Sequence, residues 1–308
     1  MSEGRYDVGL HMSRVLLLHT GGTLGMRGKP MRPGGFLEDL DEAVPELREL
    51  ADLETRVVCN LDSSDMGPTQ WSLLAATIAA EREHRDGFVI THGTDTMAYS
   101  AAALAFSLRG LDVPVVFTGA QRPLAKLRTD ARRNLQDAVE LATLGIPEVG
   151  VCFDGLFLRG CRTVKNDVRS YRAFESPGLE PLARFGFDVN ITRRVERPNV
   201  PFSCDPRFDS GVAVVYVSPG FQADWIRRLV DGGGVRGLVF AAFGVGTVPS
   251  SGSAVGRAVR SAVDAGVEVL AVTQWGGIVD LNMYVNCRAL RDAGAISGGK
   301  MRVEAAVP

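Results

Sequence analysis

Residues 87–104 read GFVITHGTDTMAYSAAAL, and this stretch shows the pattern that governs the whole chain. The apolar run Phe88–Thr91 has the length of a buried strand, and the Ala- and Leu-rich segment Thr96–Leu108 has the composition and length of a helix. The HGTD between them carries an imidazole, a hydroxyl and a carboxylate, which is more polar chemistry than a turn requires. The stretch therefore predicts a strand–loop–helix unit with a candidate site in its loop.

The same alternation of strand-sized apolar runs and helical segments recurs on both sides of this unit. It favours βαβ units, and hence an α/β fold whose larger N-terminal part is a mostly parallel sheet with helices on both faces. The other predicted strands are Arg14–His19, Val57–Leu61, Val113–Thr118 and Val149–Phe153, and the other predicted helices are Trp71–Glu83 and Ala131–Leu144.

A polar segment near residues 188–209 with three prolines interrupts this rhythm and is typical of a linker. A second alternation follows it, which predicts a smaller C-terminal α/β domain. We expect an N-terminal domain at 1–190, a linker at 191–209 and a C-terminal domain at 210–308. The C-terminal strands are predicted at Val212–Val217, Gly237–Phe240 and Val267–Thr273, and its helices at Gln222–Val230 and Ser253–Ala265.

Composition narrows the class of protein. The 308 residues are 45% hydrophobic and 23% charged, which is ordinary for a soluble globular protein. The net charge of −2 and the pI near 6.1 argue against a general binder of nucleic acid or membrane surfaces. The longest apolar runs fall short of the roughly 20 residues of a membrane helix. The opening MSEGRYDVGLHMSR lacks the apolar stretch of a secretory signal.

The five cysteines favour a reducing compartment. Their number is odd, and no two of them form a CxxC or join a Cys/His cluster. We therefore expect free thiols, a cytoplasmic location and no metal site.

Three polar segments follow predicted strands, and sites in open parallel sheets form beyond the carboxyl ends of strands. The first is HTGGTLGM, residues 19–26. Its Gly21-Gly22 pair permits a sharp turn with exposed amides, Thr23 presents a hydroxyl, and the later glycines suit a mobile lid. A plain Gly-rich turn in which Thr23 is a cap explains this segment equally well.

The second segment is NLDSSDMGP, residues 60–68. Its hydroxyls and backbone amides suit a substrate carboxylate, which helix N-termini favour. Ser63, Ser64 and Asp65 are also explained by an Asx or ST turn capping a helix that starts near Thr69, and for this segment alone the turn is the favoured interpretation.

The third segment is THGTDT, residues 91–96. Thr94 or Asp95 suits the N-cap of the following helix, although a cap explains only one of these polar groups. For His92 we favour a buried imidazole satisfied by the backbone.

A fourth segment, RGCRTVKNDVRS at residues 159–170, contains Lys165. A lysine is usually a solvated surface group. In a dry site near a threonine its pKa falls, and the neutral amine then acts as a base. Spacing alone leaves both interpretations open.

Together these segments resemble the bacterial L-asparaginase family, in particular its cytoplasmic type I branch. The resemblance covers nearly the whole chain. TGGT and HGTDT match the two signature segments of the family. Further stretches that carry the resemblance are LDSSDMGPTQW, VPVVFTGAQRPLAKLRTDARRNL, LFLRGCRTVKN, YVSPG, FGVG and TQWGG.

The resemblance implies two α/β domains and hydrolysis of the side-chain amide of L-asparagine to aspartate and ammonia. It implies no cofactor and no metal. The expected partner is a small amino-acid substrate, with no nucleic acid and no membrane. Family sites lie at subunit contacts, so we expect a homodimer or homotetramer.

Matching the motifs residue by residue assigns the roles. The resemblance implies that Thr23 is the nucleophile on the lid loop and that Thr94, Asp95 and Lys165 form a second catalytic group. Thr23 ranks above Thr94 as the first attacker. Ser63 matches the position that holds the substrate α-carboxylate, and Asp95 also faces the α-ammonium. The full expected substrate-binding set is Gly22, Asp62, Ser63, Ser64, Thr94, Asp95 and Ala120.

The chain departs from the family pattern in its lid. No tyrosine stands between Thr23 and Phe36, and Pro30 or Met31 occupies roughly its place. We therefore expect slower turnover, unless a neighbouring basic group such as Arg27, Lys29 or Arg32 replaces the phenol.

The C-terminal part departs as well. Thr247 stands where asparagine is frequent, Asn286-Cys287-Arg288 where a Thr-Gly-Asn-like run is usual, and Lys300 where aspartate is common. The chain ends at Pro308, where the family continues into a closing helix. Trimmed peripheral helices and altered oligomer contacts or regulation explain this end equally well.

Three functional hypotheses remain open at this point. The first is an asparaginase or close amidohydrolase. The second is a glutaminase or an amidase for a larger amide, including an ammonia-supplying subunit of a tRNA-dependent amidotransferase, although no additional RNA-contacting domain is evident. The third is a catalytically weakened amino-acid binder, which the joint retention of Thr23, Thr94, Asp95 and Lys165 disfavours.

Overall fold

The computed structural model describes residues 12–28, 32–33, 40, 42–249 and 254–308. The strands are β1 Arg14–Gly21, β2 Met26–Arg27, β3 Arg32–Pro33, β4 Asp52–Leu61, β5 Gly87–Thr91, β6 Leu108–Arg109, β7 Val115–Thr118, β8 Val149–Phe153, β9 Leu156–Arg159, β10 Val164–Lys165, β11 Phe174–Glu175, β12 Ala183–Phe185, β13 Val189–Ile191, β14 Ser203–Cys204, β15 Val212–Tyr216, β16 Gly237–Ala242, β17 Glu268–Thr273 and β18 Ile296–Ser297. The helices are α1 Leu47–Leu50, α2 Pro68–Glu81, α3 Met97–Ser107, α4 Ala131–Thr143, α5 Asp224–Asp231, α6 Ala254–Asp264, α7 Val285–Asp292 and α8 Val303–Ala306.

The larger sheet has eight strands in the order β13-β12-β9-β8-β7-β5-β1-β4. Strands β4, β1, β5, β7 and β8 run parallel, whereas β9, β12 and β13 continue the sheet in antiparallel fashion. The direction changes at Asp154-Gly155, where both residues have positive φ. Two such residues form the tight turn that suits a hairpin. The predicted mostly parallel sheet is confirmed.

Helices cover both faces of this sheet. Alternate residues of β1 point to opposite faces, so Val15 and Leu17 join one core and Leu16 and Leu18 the other. The first core includes residues of α1 and α4, and the second includes residues of α2 and α3. Burial on both sides explains why the central strands are nearly continuous apolar runs in the sequence.

The smaller sheet is parallel, in the order β15-β16-β17-β18. Residues of α5, α6 and α7 pack against one face, and α8 lies against the other through Val303 and Ala306. This is the smaller C-terminal α/β unit that the sequence predicts. The helix α8 also contacts α3 of the first unit.

The segment predicted as a linker makes specific contacts with the first unit. Strand β14 pairs with β6, and the Ser72 hydroxyl donates to the carbonyl of Pro206 over 2.6 Å. The expected domain limits themselves stay predictions. No helix in the described parts of the chain is both long enough and apolar enough to cross a membrane.

Candidate active site

The parallel register brings four strand ends side by side. Strands β4, β1, β5 and β7 are neighbours in the sheet, so the loops that follow them meet at one edge. These loops carry Ser63, Thr23, Thr94 and Ala120. Residues that lie up to about a hundred positions apart in the sequence are thereby gathered at one end of the sheet.

Two glycines allow three of these loops to touch. A Cβ placed on Gly22 would lie 2.5 Å from the Cα of Gly93, and one placed on Gly93 would lie 2.6 Å from Oγ of Ser63. Gly22 also has φ 85°, a conformation that favours glycine. The Thr96 hydroxyl donates to the carbonyl of Ser63 over 2.6 Å and ties the second and third loops together. Only glycine fits at positions 22 and 93 without displacing these loops.

Lys165 lies between Thr94 and Asp95. Its Nζ is 2.7 Å from Oγ1 of Thr94 and 2.6 Å from Oδ1 of Asp95. The lysine side chain is 14% exposed and the aspartate side chain 68% exposed, so the pair stands at the edge of the solvent. The three residues form one hydrogen-bonded group, in which a hydroxyl, an amine and a carboxylate can exchange protons.

Gln121 belongs to the same hydrogen-bonded group, although its place there is not predicted from the sequence. Its Oε1 accepts from the Thr94 hydroxyl over 3.3 Å, while its Nε2 donates to the carbonyl of Ser170 over 3.0 Å. The Thr94 hydroxyl therefore directs its proton at Gln121 and accepts from Lys165. The stretch TGAQ contains this residue, but a single glutamine carries no signal until its neighbours in space are known.

Two side chains of the RTDARRN stretch shape the loop around Gln121. Asp130 accepts from the backbone amides of Gln121 and Arg122 at 2.9 Å and 3.0 Å. Asn134 donates to the carbonyl of Gly119 over 2.9 Å. Ala120 lies within this braced loop and is buried.

Thr23 opens a short 3₁₀ helix, Thr23–Gly25, directly after Gly22. Among the described residues its hydroxyl has no hydrogen-bond partner. An alcohol without a fixed partner is free to turn toward a substrate carbonyl. The structure does not describe Lys29, Pro30, Met31 or residues 34–39. The expected effect of the missing lid tyrosine therefore falls outside the described residues and stays a prediction.

The loop after β4 combines a turn with a buried hydroxyl. The Asp62 carboxylate accepts from the amide of Ser64 over 2.9 Å and from its hydroxyl over 2.8 Å. The hydrogen bond from the Ser64 amide is the largest cause that lowers the pKa of this carboxyl. This is the Asx turn that the sequence favoured, but it lies within the 3₁₀ helix Ser63–Asp65, and the N-cap of α2 is Gly67. Ser63 is buried beside Gly93, whereas Ser64 points back to Asp62.

The expected capping role of Thr94 or Asp95 has no support in the hydrogen bonds of the described residues. The N-cap of α3 is Thr96, and no side-chain hydrogen bond caps this helix. Both Thr94 and Asp95 are instead engaged by Lys165.

The buried imidazole of His92 hydrogen-bonds to the backbone of the HGTDT loop, as is expected for this residue from the sequence. Its Nδ1 lies 2.7 Å from the carbonyl of Gly93, and because a carbonyl only accepts, Nδ1 carries the proton. The Ser100 hydroxyl donates to its unprotonated Nε2 over 2.9 Å and accepts from the Trp71 indole over 2.8 Å. Burial lowers the pKa of the His92 imidazole to about 4, so the ring is neutral near pH 7.

His19 holds the ends of β1 and β5 together. Its Nδ1 is 2.8 Å from the Thr91 hydroxyl, and burial lowers the pKa of its imidazole to about 4. Both imidazoles are buried and hydrogen-bond to groups at the strand ends, so we assign a structural role to both histidines. Within the described parts of the chain, no group of three or more histidine, cysteine or acidic side chains is arranged to hold a metal ion.

Comparison with protein families identifies the family to which this chain belongs. The model of the N-terminal asparaginase domain matches residues 14–197, and the model of the glutaminase/asparaginase C-terminal domain matches residues 211–308. The chain belongs to the asparaginase family. The chain is also 37% identical over 304 residues to L-asparaginase 1 of Escherichia coli K12, and the match covers 94% of this chain and 88% of that protein.

Solved structures give the same result for the asparaginase fold. The thermostable L-asparaginase from Thermococcus kodakarensis superposes with a TM-score of 0.88 at 31% identity, over 96% of this chain and 90% of that one. A probable cytoplasmic L-asparaginase from Campylobacter jejuni superposes with a TM-score of 0.82 at 28% identity, over 96% of this chain and 92% of that one. This asparaginase-family protein therefore has the two-unit architecture that the resemblance implies.

The departures in its C-terminal unit fall at structured positions. The Thr247 hydroxyl donates to the carbonyl of Phe243 over 3.2 Å within a turn. Cys287 is buried in the core of the C-terminal unit, in helix α7. Both side chains are therefore engaged within the C-terminal unit itself.

Proposed function

We propose that this protein hydrolyses the side-chain amide of L-asparagine to aspartate and ammonia. One observation carries this proposal, namely that Lys165 Nζ lies within 2.7 Å of both Thr94 Oγ1 and Asp95 Oδ1 beside the Gly22–Gly93–Ser63 contact. Amide hydrolysis needs a nucleophile, a proton carrier and donors for an oxyanion. The site provides a candidate for each.

Substrate binding follows from the charges at the strand ends. The exposed Asp95 carboxylate suits the α-ammonium of an amino acid. The Ser63 hydroxyl and the amides around Gly22 suit its α-carboxylate, because backbone amides at such turns bind anions. Gly22, Asp62, Ser63, Ser64, Thr94, Asp95 and Ala120 form the proposed substrate-binding set.

The proposed reaction has two steps. In the first, Thr23 Oγ1 bonds to the amide carbon, its proton reaches the amide nitrogen, and the C–N bond breaks to release ammonia. In the second, water attacks the resulting ester, gives a proton back to Thr23 and releases aspartate. Thr94 and Lys165 carry the protons, and the charged form of Lys165 stabilises negative charge that develops nearby.

The direct test measures ammonia released by the purified protein from L-Asn, D-Asn, L-Gln and Asn-containing dipeptides. We expect L-Asn to give the highest kcat/KM. Preference for L-Gln or for a dipeptide would replace the substrate assignment, and no release from any amide would overturn the proposal. An acid quench followed by mass spectrometry should find the trapped ester on Thr23, and an ester on Thr94 would reverse the order of the two threonines.

We further propose that copies of the chain assemble into a homodimer or homotetramer. Trp275, Ile278, Met283, Tyr284 and Val285 lie within eleven residues and are each more than half exposed. A cluster of exposed apolar side chains marks a contact surface. Light scattering after size exclusion should give at least twice the 33.0 kDa of one chain. A monomer at micromolar concentration would contradict this.

A cytoplasmic location is also proposed. It is supported by the five free cysteines. Structural disulfides are rare in reducing compartments, so free thiols fit that setting. Cell fractionation with an antibody to the chain should find it with cytoplasmic enzymes, and recovery from the extracellular or periplasmic fraction would contradict the assignment.

A further inference from the structure

Three arginines line an open cavity beside the candidate active site. Arg122, Arg128 and Arg169 share its wall with Gln121 and Tyr171, and its volume is about 770 Å³. All three arginines are exposed. In the described parts of the chain, none of the three pairs with a carboxylate, whereas other exposed arginines do, as Arg207 does with Asp205.

The positive charge of the three arginines favours the binding of an anion in this cavity. The chain as a whole has a net charge of −2, so the basic cavity is a local feature. Guanidinium groups that share one cavity repel each other, and an anion between them removes that repulsion. The planar fork of arginine also matches the geometry of carboxylate and phosphate oxygens.

The cavity lies between the two segments that Gln121 joins. Gln121 Nε2 donates to the carbonyls of Ser170 at 3.0 Å and Asp167 at 3.5 Å, and Arg169 stands between these two residues in the sequence. Arg122 directly follows Gln121. An anion held by Arg122 and Arg169 would therefore brace the same two segments that position Gln121.

The third arginine, Arg128, is fixed in place through its backbone. Arg128 has φ 57°, an unusual conformation for a residue with a side chain, and the Tyr171 hydroxyl donates to its carbonyl. Tyr171 belongs to the loop that carries Arg169. Loops 121–128 and 167–171 are thus tied at both ends of the cavity, which keeps the three arginines on a fixed frame.

We propose that this cavity binds a small divalent oxyanion, of the phosphate or dicarboxylate type, and that the bound anion tightens the hold of Gln121 on Thr94. The Thr94 Oγ1–Gln121 Oε1 distance of 3.3 Å is long for a bond between a hydroxyl and an oxygen, which is usually about 2.7–2.8 Å. Bracing the two segments would shorten it. The effect on Thr94 rests on the proposed amidohydrolase function, whereas the anion site itself does not.

Calorimetric titration tests the site directly. The probes are inorganic phosphate and, separately, succinate, each at an ionic strength held constant with chloride. We compare the wild type with Arg122→Gln/Arg169→Gln and with Arg227→Gln, a matched control in which an exposed arginine of α5 loses its pairing with Asp224. The expected result is one site per chain for at least one probe, weakened about tenfold or more in the double variant and unchanged in the control.

Two results overturn the anion site. One is the absence of binding for both probes in the wild type, and the other is equal binding in all three proteins. Circular dichroism checks that the double variant is folded, and the single variant Arg122→Gln gives a second reading if it is not. A change in oligomer mass without a change in anion binding would assign the arginines to a contact with a second copy and would also reject the site.

Turnover tests the coupling to Thr94. At constant ionic strength, the anion that binds should change the kcat for L-Asn in the wild type and in Arg227→Gln, and leave the double variant unaffected. An equal response in all three proteins would reject the coupling. If no amide is hydrolysed at all, the proposed function fails, while the calorimetric result still decides whether the anion site exists.

Discussion

The Cα of Gly93 lies where a side chain on Gly22 would have to be, because a Cβ on Gly22 would approach it to 2.5 Å. The signature segments TGGT and HGTDT are thus in direct backbone contact. Their glycines are needed for a close approach of two loops as well as for a turn in each.

Replacing Gly93 with alanine should therefore damage the site more than the fold. The new Cβ would lie 2.6 Å from Oγ of Ser63, so this hydroxyl has to move. A displacement of about 1 Å in a positioning group costs about 10²-fold in rate, and we expect a loss of that order in kcat/KM for L-Asn. Gly67→Ala is the matched control, because a Cβ at Gly67 meets nothing within 4 Å. Equal kcat/KM values in the two variants would contradict the steric account.

Lys165→Met should lower kcat by about 10²–10⁴-fold, the usual contribution of a positioned proton carrier. Methionine has about the length of lysine but has no proton to share with Thr94 and Asp95. The pH profile of kcat/KM is the deciding measurement, because a loss of packing lowers the rate equally at all pH values. A wild-type rate at every pH would remove Lys165 from the mechanism.

Thr94→Val should abolish most turnover, while Thr94→Ser should retain a large part of it. Valine has nearly the shape of threonine but lacks the hydroxyl that joins Lys165 to Gln121. Similar melting temperatures for the two variants would show that both are folded. Near wild-type turnover by Thr94→Val would exclude the hydroxyl from catalysis. The same comparison at Thr23, with alanine and serine, tests the nucleophile.

Gln121→Met should reduce kcat by about 2- to 10-fold, because it removes a single neutral hydrogen bond to Thr94. We expect little change in KM for L-Asn, since among the described residues the Gln121 side chain hydrogen-bonds to Thr94 and to no other member of the expected substrate-binding set. A large rise in KM with kcat unchanged would show that Gln121 binds substrate instead.

Asp137→Asn should stabilise the protein at pH 8 more than at pH 5. Asp137 is buried in α4, its Oδ2 has no hydrogen-bond partner within the described parts of the chain, and Arg133 Nε lies 3.6 Å away. Burial raises the pKa of this carboxyl from 3.8 to about 6. The folded state therefore holds its proton more tightly than the unfolded state, and this contribution is lost as the pH rises from about 4 through 6.

The shift corresponds to a limit of about 3 kcal/mol between pH values well below 4 and well above 6, and to about half of that between pH 5 and pH 8. Chemical denaturation at pH 5 and pH 8 measures the free energy of unfolding of both proteins. Asp264→Asn, at an exposed position in α6, controls for the loss of an acidic group. A difference between Asp137→Asn and the wild type that is the same at both pH values would contradict the assignment.

The sequence predicts strands well where both faces are buried. Gly87–Thr91 and Val149–Phe153 are fully buried, so each is an uninterrupted apolar run with clear limits. Asp52–Leu61 was predicted only over its second half. It is an edge strand of the sheet, and charged side chains alternate with Leu53 and Thr55 over its first five residues, which weakens the apolar signal.

The antiparallel part of the sheet was not predicted. Its origin is a two-residue turn at Asp154-Gly155, and the strands Ala183–Phe185 and Val189–Ile191 that follow are only three residues long. Strands this short carry too few residues to show a period. Their pairing depends on the tertiary position of their neighbours.

The residues of the candidate site also differ in whether the local sequence alone predicts them. Thr23, Ser63 and Thr94 follow strands and carry their own local signal, so motif analysis selects them. Gln121 does not, because its importance comes from the Thr94 hydroxyl 3.3 Å away and from the carbonyls of the 167–170 loop. Contacts between loops that are distant in sequence are fixed only by the fold.

The hydrogen bond from Trp71 through Ser100 to His92 gives the site an optical reporter. Trp71 is 6% exposed, whereas Trp225 and Trp275, the other two tryptophans, are 51% and 55% exposed. Replacing Trp225 and Trp275 with phenylalanine would therefore leave only the emission of the buried Trp71, whose indole donates to the side chain that contacts His92. A change in this remaining fluorescence would then signal a rearrangement beneath the HGTDT loop in real time, without any added label.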